Sequence, residues 1–266
     1  MAVAEVKTIR AVERALEVIG AIRSRRGLSL NELHLSTGLP KATLLRILKT
    51  LSEGGMVWQR MADGAYVAGA LKFTGQPPDI TDKLAEIASP FLADLSKRVM
   101  WPSVIAVPRM DYIEVIETNG PIVRLDSAVL GPVGLKLSYL HTATGRAYLA
   151  ACSAMEREAI IERIRPAEPD PAGEKALEMI VQQTREQGYS ARDPAHHWPD
   201  RTYRLVREDG RRSLAVPVYS VGQPIASLNL TWPSNRTTLA EVVDLHLATM
   251  KATASIIGRR LDETLA

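Results

Sequence analysis

The sequence predicts an α+β protein with a small helical domain at its N-terminus and a larger domain, built on an antiparallel sheet, at its C-terminus. Two observations predict this division. Residues 29–68 read as a short helix, a tight turn and a longer helix followed by a hairpin, and strand-like runs alternate with helices beyond residue 102. A chain of 266 residues with 46% apolar side chains is long enough for two cores. We therefore expect domains at residues 1–74 and 101–266, joined by a helical linker over residues 75–100.

The N-terminal part carries the signals of a winged helix-turn-helix in the correct order. Residues 7–24 place apolar side chains at helical spacing and predict a first, supporting helix. Ser29 and Glu32 have the spacing of a capping box, which predicts the start of a second helix. Gly38 suits the left-handed end of that helix, and Pro40 suits the first turn of the next. Asp63-Gly64 between two apolar runs then predicts a hairpin, or wing.

The third helix, over about residues 40–54, has two different faces. An apolar face, predicted to join the core, combines Leu44, Leu45, Ile47, Leu48 and Leu51. The opposite face combines Ala42, Thr43, Arg46, Lys49, Thr50 and Glu53. Small side chains permit close approach to a major groove, where Arg and Thr can bond bases or phosphates. The predicted DNA contacts are Ser29, Lys41, Ala42, Thr43, Arg46, Lys49 and, on the wing, Arg60. The alternative is an ordinary amphipathic helix pair with solvated charges.

The distribution of charge supports a polyanionic partner. Residues 1–60 contain ten Lys and Arg against five Glu, whereas the whole chain carries only +3. The N-terminal part is therefore basic and the remainder net negative, as expected of a domain that faces phosphates joined to an ordinary globular one. Double-stranded DNA is the expected macromolecular partner.

Composition argues against several other classes of protein. The single Cys152 excludes an intramolecular disulfide and a multi-cysteine zinc site, and the five histidines lack metal-ligand spacing. No phosphate-binding glycine loop, nucleophile elbow or pair of catalytic carboxylates is present. No apolar run approaches the ~18 residues of a membrane span, and no signal peptide is recognisable. We expect a soluble cytoplasmic protein without enzymatic activity, cofactor, metal or membrane association.

The C-terminal part reads as an antiparallel sheet flanked by helices. A long helix over about residues 79–100 precedes it, with a kink or break expected at Pro90. The predicted strands are residues 103–107, 111–117, 122–125, 213–219 and 224–230. The predicted helices are residues 143–152, 153–164, 173–187 and 238–263. Such an arrangement is typical of an α+β sensor domain.

The chain resembles the IclR family of bacterial transcription regulators over essentially its whole length. At the N-terminus the resemblance rests on TIRAVERALEVI and LSLNELHLSTGLPKATLLRILKTLSEGGMV. At the C-terminus it rests on LHTATGRAYLA, EQGYSARD and RSLAVPVYSVGQPIASLNLTWP. RVMWPSVIAV and VRLDS are further similar to regulators of phenylpropionate and hydroxyphenylpropionate breakdown.

This resemblance implies a winged helix-turn-helix, a helical linker and a GAF/PAS-like domain that binds a small organic acid. It also implies dimers or pairs of dimers on palindromic operators, because a two-fold protein matches a two-fold site. Two hypotheses follow: a regulator of a catabolic operon, or an architectural DNA-binding protein whose C-terminal half only oligomerises. For the regulator, an aromatic acid is the leading effector and a short oxo-acid such as glyoxylate or pyruvate the alternative.

The expected effector site combines residues from several segments of the second domain. Family likeness and strand alternation together assign it Arg124, Asp126, Leu137, Ala143, Thr144, Gly145, Asp193, Ser213, Asn229 and Thr231. Gly145 would begin a helix whose N-terminus holds a carboxylate, or Thr144 would simply cap that helix. Arg124 would clamp a carboxylate, or pair with Asp126 in solvent. A basic cluster would bind an anion or a partner subunit, or be solvated: His196, His197, Arg201, Arg204, Arg207, Arg211 and Arg212.

Overall fold

The computed structural model describes residues 8–25, 27–69, 80–120, 132–192, 198 and 209–265. It divides into two compact units, Met1–Glu86 and Ile87–Ala266. The division falls within the predicted linker, whose Gly75-Gln76-Pro77-Pro78 stretch lies outside the described residues.

Among the described residues of the N-terminal unit, three helices precede the linker, and local signals fix where they begin and end. They are α1 (Arg10–Arg23), α2 (Leu30–Thr37) and α3 (Lys41–Glu53). The Ser29 backbone N–H donates to Glu32 Oε2 at 2.8 Å, and the Glu32 N–H donates to Ser29 Oγ at 3.3 Å, so the predicted capping box is confirmed. Gly38 ends α2 with a left-handed φ of 67°, also as predicted.

A two-stranded hairpin completes this unit. Strands β1 (Val57–Gln59) and β2 (Tyr66–Ala68) pair antiparallel, which confirms the predicted wing. Leu28 extends it, because its N–H and carbonyl both bond Tyr66. The helices and hairpin share one core, formed by Val18, Ile22, Leu28, Leu33, Leu39, Leu44, Leu48, Leu51 and Val57.

Helix α4 (Ile80–Arg98) continues through Pro90. Of the two expectations for this position, a kink or a break, the break is therefore wrong. Proline removes one helical hydrogen bond. Burial on both sides offsets that loss, because Ala88 and Leu92 are fully buried. Further along, the polar Asn119 side chain donates to the carbonyl of Leu92 at 3.0 Å.

The remaining elements of the C-terminal unit form an antiparallel sheet with helices. The strands are β3 (Ser103–Pro108), β4 (Ile113–Thr118), β5 (Lys136–Leu137), β6 (Ser190–Ala191), β7 (Arg211–Ser220) and β8 (Gln223–Pro233). The helices are α5 (Ala143–Ala151), α6 (Ala154–Ile164), α7 (Pro171–Gln187) and α8 (Leu239–Leu265). The described strands lie in the order β5-β4-β3-β8-β7-β6, and each neighbouring pair is antiparallel. The α+β class is confirmed; the strand predicted at residues 122–125 lies outside the described residues.

The register of the central strands decides which side chains share a face. Asn229 pairs with Ala215 on β7 and with Val104 on β3, so these three side chains lie on one side of the sheet. Ala215 packs against Ala143 and Ala147 of α5. We call this side the α5 face. The opposite side carries Leu214, Leu228 and Leu230, all fully buried, and α8 packs along β7.

Candidate functional site

The exposed side of α3 presents cations and small side chains together. Lys41, Ala42, Arg46 and Lys49 are exposed and Thr43 is partly so, whereas Leu44, Leu48 and Leu51 are buried. The two-faced character predicted for this helix is therefore present. One assignment within it is wrong: Leu45, expected in the core, is 48% exposed. Contact of this side with DNA stays a prediction.

The cations on α3 are available to an external anion. Lys49 lies 3.9 Å from Glu53, but both side chains are largely exposed, and such surface pairs contribute about 0–1 kcal/mol. Among the described residues, Arg46 forms no ion pair. A phosphate or a guanine edge would therefore displace little more than water.

Ser29 is engaged within the helix cap. Its hydroxyl donates to Glu32 Oε2 at 2.7 Å and accepts from the Glu32 N–H. The structure thus gives this hydroxyl a structural role, at the start of the helix that precedes α3. Its expected DNA contact stays a prediction, and one that competes with the cap.

Arg60 on the wing forms an ion pair within the hairpin, and its expected contact with DNA stays a prediction. Its Nη2 lies 2.5 Å from Asp63 Oδ2, and its Nε donates to Asp63 Oδ1 at 3.0 Å. Partial burial acts to raise the pKa of Asp63, but hydrogen bonds from Arg60 and the Ala65 backbone outweigh it and lower that pKa. The pair closes the hairpin turn, so contact with a phosphate by Arg60 would be in addition to this ion pair.

A row of polar side chains follows β8 along the α5 face. Thr231 Oγ1 donates to Asn229 Oδ1 at 2.7 Å, so the two share a side as predicted. Asn229 is only 4% exposed, and Ser213 on β7 pairs directly with Thr231. Ser227, which continues the row, is fully buried, and its Oγ has no hydrogen-bond partner among the described residues. An unpaired buried hydroxyl is destabilising unless another group bonds it.

The start of α5 differs from both alternatives that the sequence offered. Thr142, not Thr144, caps the helix: its Oγ1 accepts from the Gly145 N–H at 3.1 Å and donates to the Ser138 carbonyl at 2.7 Å. Thr144 is buried within the first turn. Because Thr142 already satisfies the Gly145 N–H, that group is not free to hold a carboxylate, which corrects the helix-terminus hypothesis at this residue.

The other expected effector residues are divided between the core and the undescribed part of the chain. Leu137 is buried on β5 and belongs to the main hydrophobic cluster, and the Ala143 carbonyl accepts a hydrogen bond from Ser190. Arg124, Asp126 and Asp193 lie outside the described residues, as do five members of the basic cluster, His196, His197, Arg201, Arg204 and Arg207. The structure therefore brings together Ser213, Asn229 and Thr231, with Ala143 on the helix that covers the same face.

Sequence reasoning missed Ser227 and Thr142. Ser227 could have been predicted, because the strand alternation that puts Asn229 and Thr231 on one side of β8 puts Ser227 on that side as well. Thr142 could not have been predicted as the cap, since threonines flank Ala143 on both sides and either one fits a helix start. The hydrogen bonds of Thr142 with the Gly145 N–H and the Ser138 carbonyl identify it as the cap.

A separate cavity of about 410 Å³ lies between α6 and α7. Its lining includes Arg157 and Arg185, which already donate to carbonyls near the end of α5: Arg157 to Leu149 and Cys152, and Arg185 to Ala150. None of the expected effector residues lines it. We therefore locate the candidate effector site at the polar row of the α5 face and not in this cavity.

Within the described ranges, no group of three His, Cys, Asp or Glu side chains is placed to hold a metal ion. The helices of those same ranges include none that is both long and apolar enough to cross a membrane.

Comparison with known proteins gives a consistent answer for both units. The chain matches the model of the IclR helix-turn-helix domain over residues 11–60 and that of the bacterial transcriptional regulator IclR C-terminal domain over residues 81–259. It is 28% identical over 251 residues to the HTH-type transcriptional regulator XynR of Escherichia coli strain K12, covering 89% of this chain and 91% of XynR. It is 25% identical over 255 residues to the acetate operon repressor of Salmonella typhimurium, covering 93% of this chain and 89% of that repressor.

Solved structures agree on the fold. The Thermotoga maritima IclR superposes with a TM-score of 0.55 at 19% identity, covering 96% of this chain and all of the other. An IclR homologue from Microbacterium hydrocarbonoxydans, crystallised with 4-hydroxybenzoate, superposes with a TM-score of 0.54 at 20% identity, covering 94% and 98%. The C-terminal family model alone spans well over half of the chain. The chain therefore belongs to the IclR family of bacterial transcriptional regulators, which are DNA-binding proteins and not enzymes.

Proposed function

We propose that the C-terminal domain binds a small aromatic carboxylic acid, and that this ligand controls the operator affinity of the N-terminal domain at a catabolic operon. The observation that carries the proposal is the polar row Ser213, Ser227, Asn229 and Thr231 on the buried sheet face that α5 covers. Buried polar groups are normally paired within a protein, and a row that is incompletely paired suits a polar ligand.

The row offers directional recognition. Because Asn229 Oδ1 accepts from Thr231, its Nδ2 is left as a donor toward a carboxylate or phenol oxygen. Ser227 Oγ supplies a second group that can donate or accept. The row runs from the fully buried Ser227 to the partly exposed Thr231, so we expect the ligand to enter at the Thr231 end. Leu137 and Ala143 would supply apolar walls, and Arg124, Asp126 and Asp193 further polar contacts.

Two further points favour an aromatic acid over a short oxo-acid. RVMWPSVIAV and VRLDS are similar to regulators of phenylpropionate and hydroxyphenylpropionate breakdown. The Microbacterium homologue was crystallised with 4-hydroxybenzoate, which combines a carboxylate with a phenol. We accordingly propose a phenylpropionate-like acid as the effector class, with glyoxylate or pyruvate as the alternative.

On the DNA side, we propose that Lys41, Ala42, Thr43, Arg46 and Lys49 contact a palindromic operator, each half-site read by one copy of the chain in a homodimer or tetramer. The basic N-terminal unit and the exposed α3 face support this assignment. A helix inserted into the major groove places such residues at base edges and phosphates.

The test is to measure the melting temperature of the full-length protein at increasing ligand concentrations. We expect 3-phenylpropionate or 4-hydroxybenzoate to raise that temperature, because a ligand that binds only the folded state stabilises it. Asn229→Asp retains the size of the side chain but repels a carboxylate, so the shift should disappear. Asn235→Asp, which introduces the same charge at an exposed turn beyond β8, is the matched control and should retain the shift. If no aromatic acid raises the melting temperature, or if Asn229→Asp responds like the wild type, the proposed site is wrong.

A further inference from the structure

Leu45 is an exposed apolar side chain on the DNA-facing side of α3. It is 48% exposed, whereas Leu44 and Leu48 next to it are buried. The core of the N-terminal unit contains Leu44, Leu48 and Leu51, with Ile47 partly buried against it, and Leu45 is not part of it. The helix therefore does not use Leu45 to hold the domain together.

The position of Leu45 distinguishes it from an ordinary surface leucine. At about 100° per residue, Ala42, Leu45, Arg46 and Lys49 fall within an arc of about 100° on one side of the helix. Ala42, Arg46 and Lys49 are all exposed. Leu45 thus lies at one edge of this arc, next to Lys49 and Ala42, with Arg46 at the other edge. Single exposed leucines need no special explanation elsewhere, as on α8, where Leu245 is 68% exposed.

A leucine has no polar atom with which to bond a base edge. In the major groove, the apolar group that DNA presents is the 5-methyl of thymine, which tells a T·A pair from every other pair. An exposed leucine on the reading side of a helix shares the apolar character of that methyl and can pack against it. Its contact with the methyl removes apolar surface from water on both partners.

We propose that Leu45 is a specificity-determining residue that contacts the methyl group of one thymine in each half-site. The proposal rests on DNA recognition by α3 and adds to it a base preference that hydrogen bonding by Arg46 and Lys49 cannot supply. Burial of one methyl contributes about 0.8 kcal/mol, which corresponds to roughly fourfold in affinity.

Deoxyuridine tests this directly, because it differs from thymidine only by the 5-methyl and leaves the hydrogen-bonding edge unchanged. The operator is first selected from genomic fragments by the full-length wild-type protein, and each thymine is then replaced singly by deoxyuridine. We expect one thymine per half-site at which the replacement weakens wild-type binding roughly fourfold. Leu45→Ala should bind the thymine and deoxyuridine versions of that site equally. Leu245→Ala, at an exposed leucine on α8, should retain the fourfold difference.

The outcomes distinguish a failure of methyl recognition by Leu45 from a failure of DNA recognition by α3. If no deoxyuridine replacement weakens wild-type binding, or if Leu45→Ala keeps the full difference, Leu45 does not read a methyl group. Arg46→Ala is measured in parallel: if it leaves operator affinity unchanged, the α3 face itself is wrongly assigned. Circular dichroism and melting temperature confirm that Leu45→Ala is folded, as expected for an exposed position occupied by a better helix former.

Discussion

Gly145 illustrates how a single residue can be fixed by packing. A Cβ at this position would lie 2.4 Å from both the Ser138 carbonyl oxygen and Tyr139 Cα. These are backbone atoms that cannot rotate away. The glycine therefore lets α5 lie directly against residues 138–139 and bring Ala143 and Ala147 onto the sheet.

Gly145→Ala should destabilise the protein by about 1–3 kcal/mol, because overpacking against backbone exceeds the gain in helix propensity. Urea unfolding followed by circular dichroism measures the change. Gly20→Ala on α1 is the matched control, since a Cβ there meets no atom within 4 Å. That variant should be neutral or more stable by up to about 1 kcal/mol. Equal behaviour of the two alanines would contradict the steric role of Gly145.

Residue-level predictions from the sequence succeeded where one local rule determines the outcome. The Ser29–Glu32 cap and the left-handed Gly38 depend on a few neighbouring atoms and were predicted correctly. The predicted burial of Leu45 was wrong. A helical projection does not determine whether a side chain at the border of two faces is buried, because that depends on how the helix packs in the tertiary structure. The ion pair of Arg60 with Asp63 was not predicted, because the turn geometry that closes it cannot be derived from residue spacing alone.

At the scale of elements, two capping boxes provide a matched pair. Ser29 and Glu32 open α2, and Thr238 and Glu241 open α8 with the same reciprocal bonds. Hydrogen bonds from the Ser29 backbone and hydroxyl lower the pKa of Glu32 below its ordinary value of 4.5. Because the folded pKa is the lower one, the cap contributes fully above pH 4.5, and its contribution is lost as the pH falls through the folded pKa.

Ser29→Ala should weaken α2 by about 1 kcal/mol, the usual effect of losing a serine N-cap. The measurement is amide hydrogen-exchange protection along α2, which should fall while that of α8 is unchanged. Thr238→Ala should show the converse pattern. In Glu32→Gln, the acid-dependent part of α2 protection should be absent. Loss of protection in both helices from either single variant would indicate global unfolding and contradict the local role of the caps.

Elements with strong periodicity or clear caps were predicted within a few residues. Helix α7 was expected from residue 173 and begins at Pro171, and β7 and β8 were expected a few residues shorter than they are. The two-residue strands β5 and β6 were missed, since such short segments carry no alternation and exist only through pairing with β4 and β7. The same limit applies to the candidate site. Alternation along β8 alone predicts that Asn229 and Thr231 share a side, but only the pairing of β7 with β8 places Ser213 beside them.

For the whole molecule, the two compact units separate the two proposed activities. The α3 face belongs to residues 1–86 and the polar row of the α5 face to residues 87–266. Substitutions at distant sites without shared partners act independently on affinity and stability. An effector can nevertheless change operator affinity, provided that it binds two conformations of the protein with different affinity.

Arg46→Ala should therefore weaken operator binding while leaving the ligand-induced rise in melting temperature intact. Loss of a bidentate contact to a base costs about 1–3 kcal/mol, so we expect a loss in affinity of at least fivefold, measured by fluorescence anisotropy at fixed salt concentration. Arg259→Ala removes the same charge from an exposed position on α8 and should alter neither quantity. The comparison separates a specific contact from a general effect of net charge, which salt would screen in both variants alike. If Arg46→Ala lost operator binding and the ligand response together, the two activities would not reside on separate units, and the assignment of α3 as the DNA-reading helix would fail.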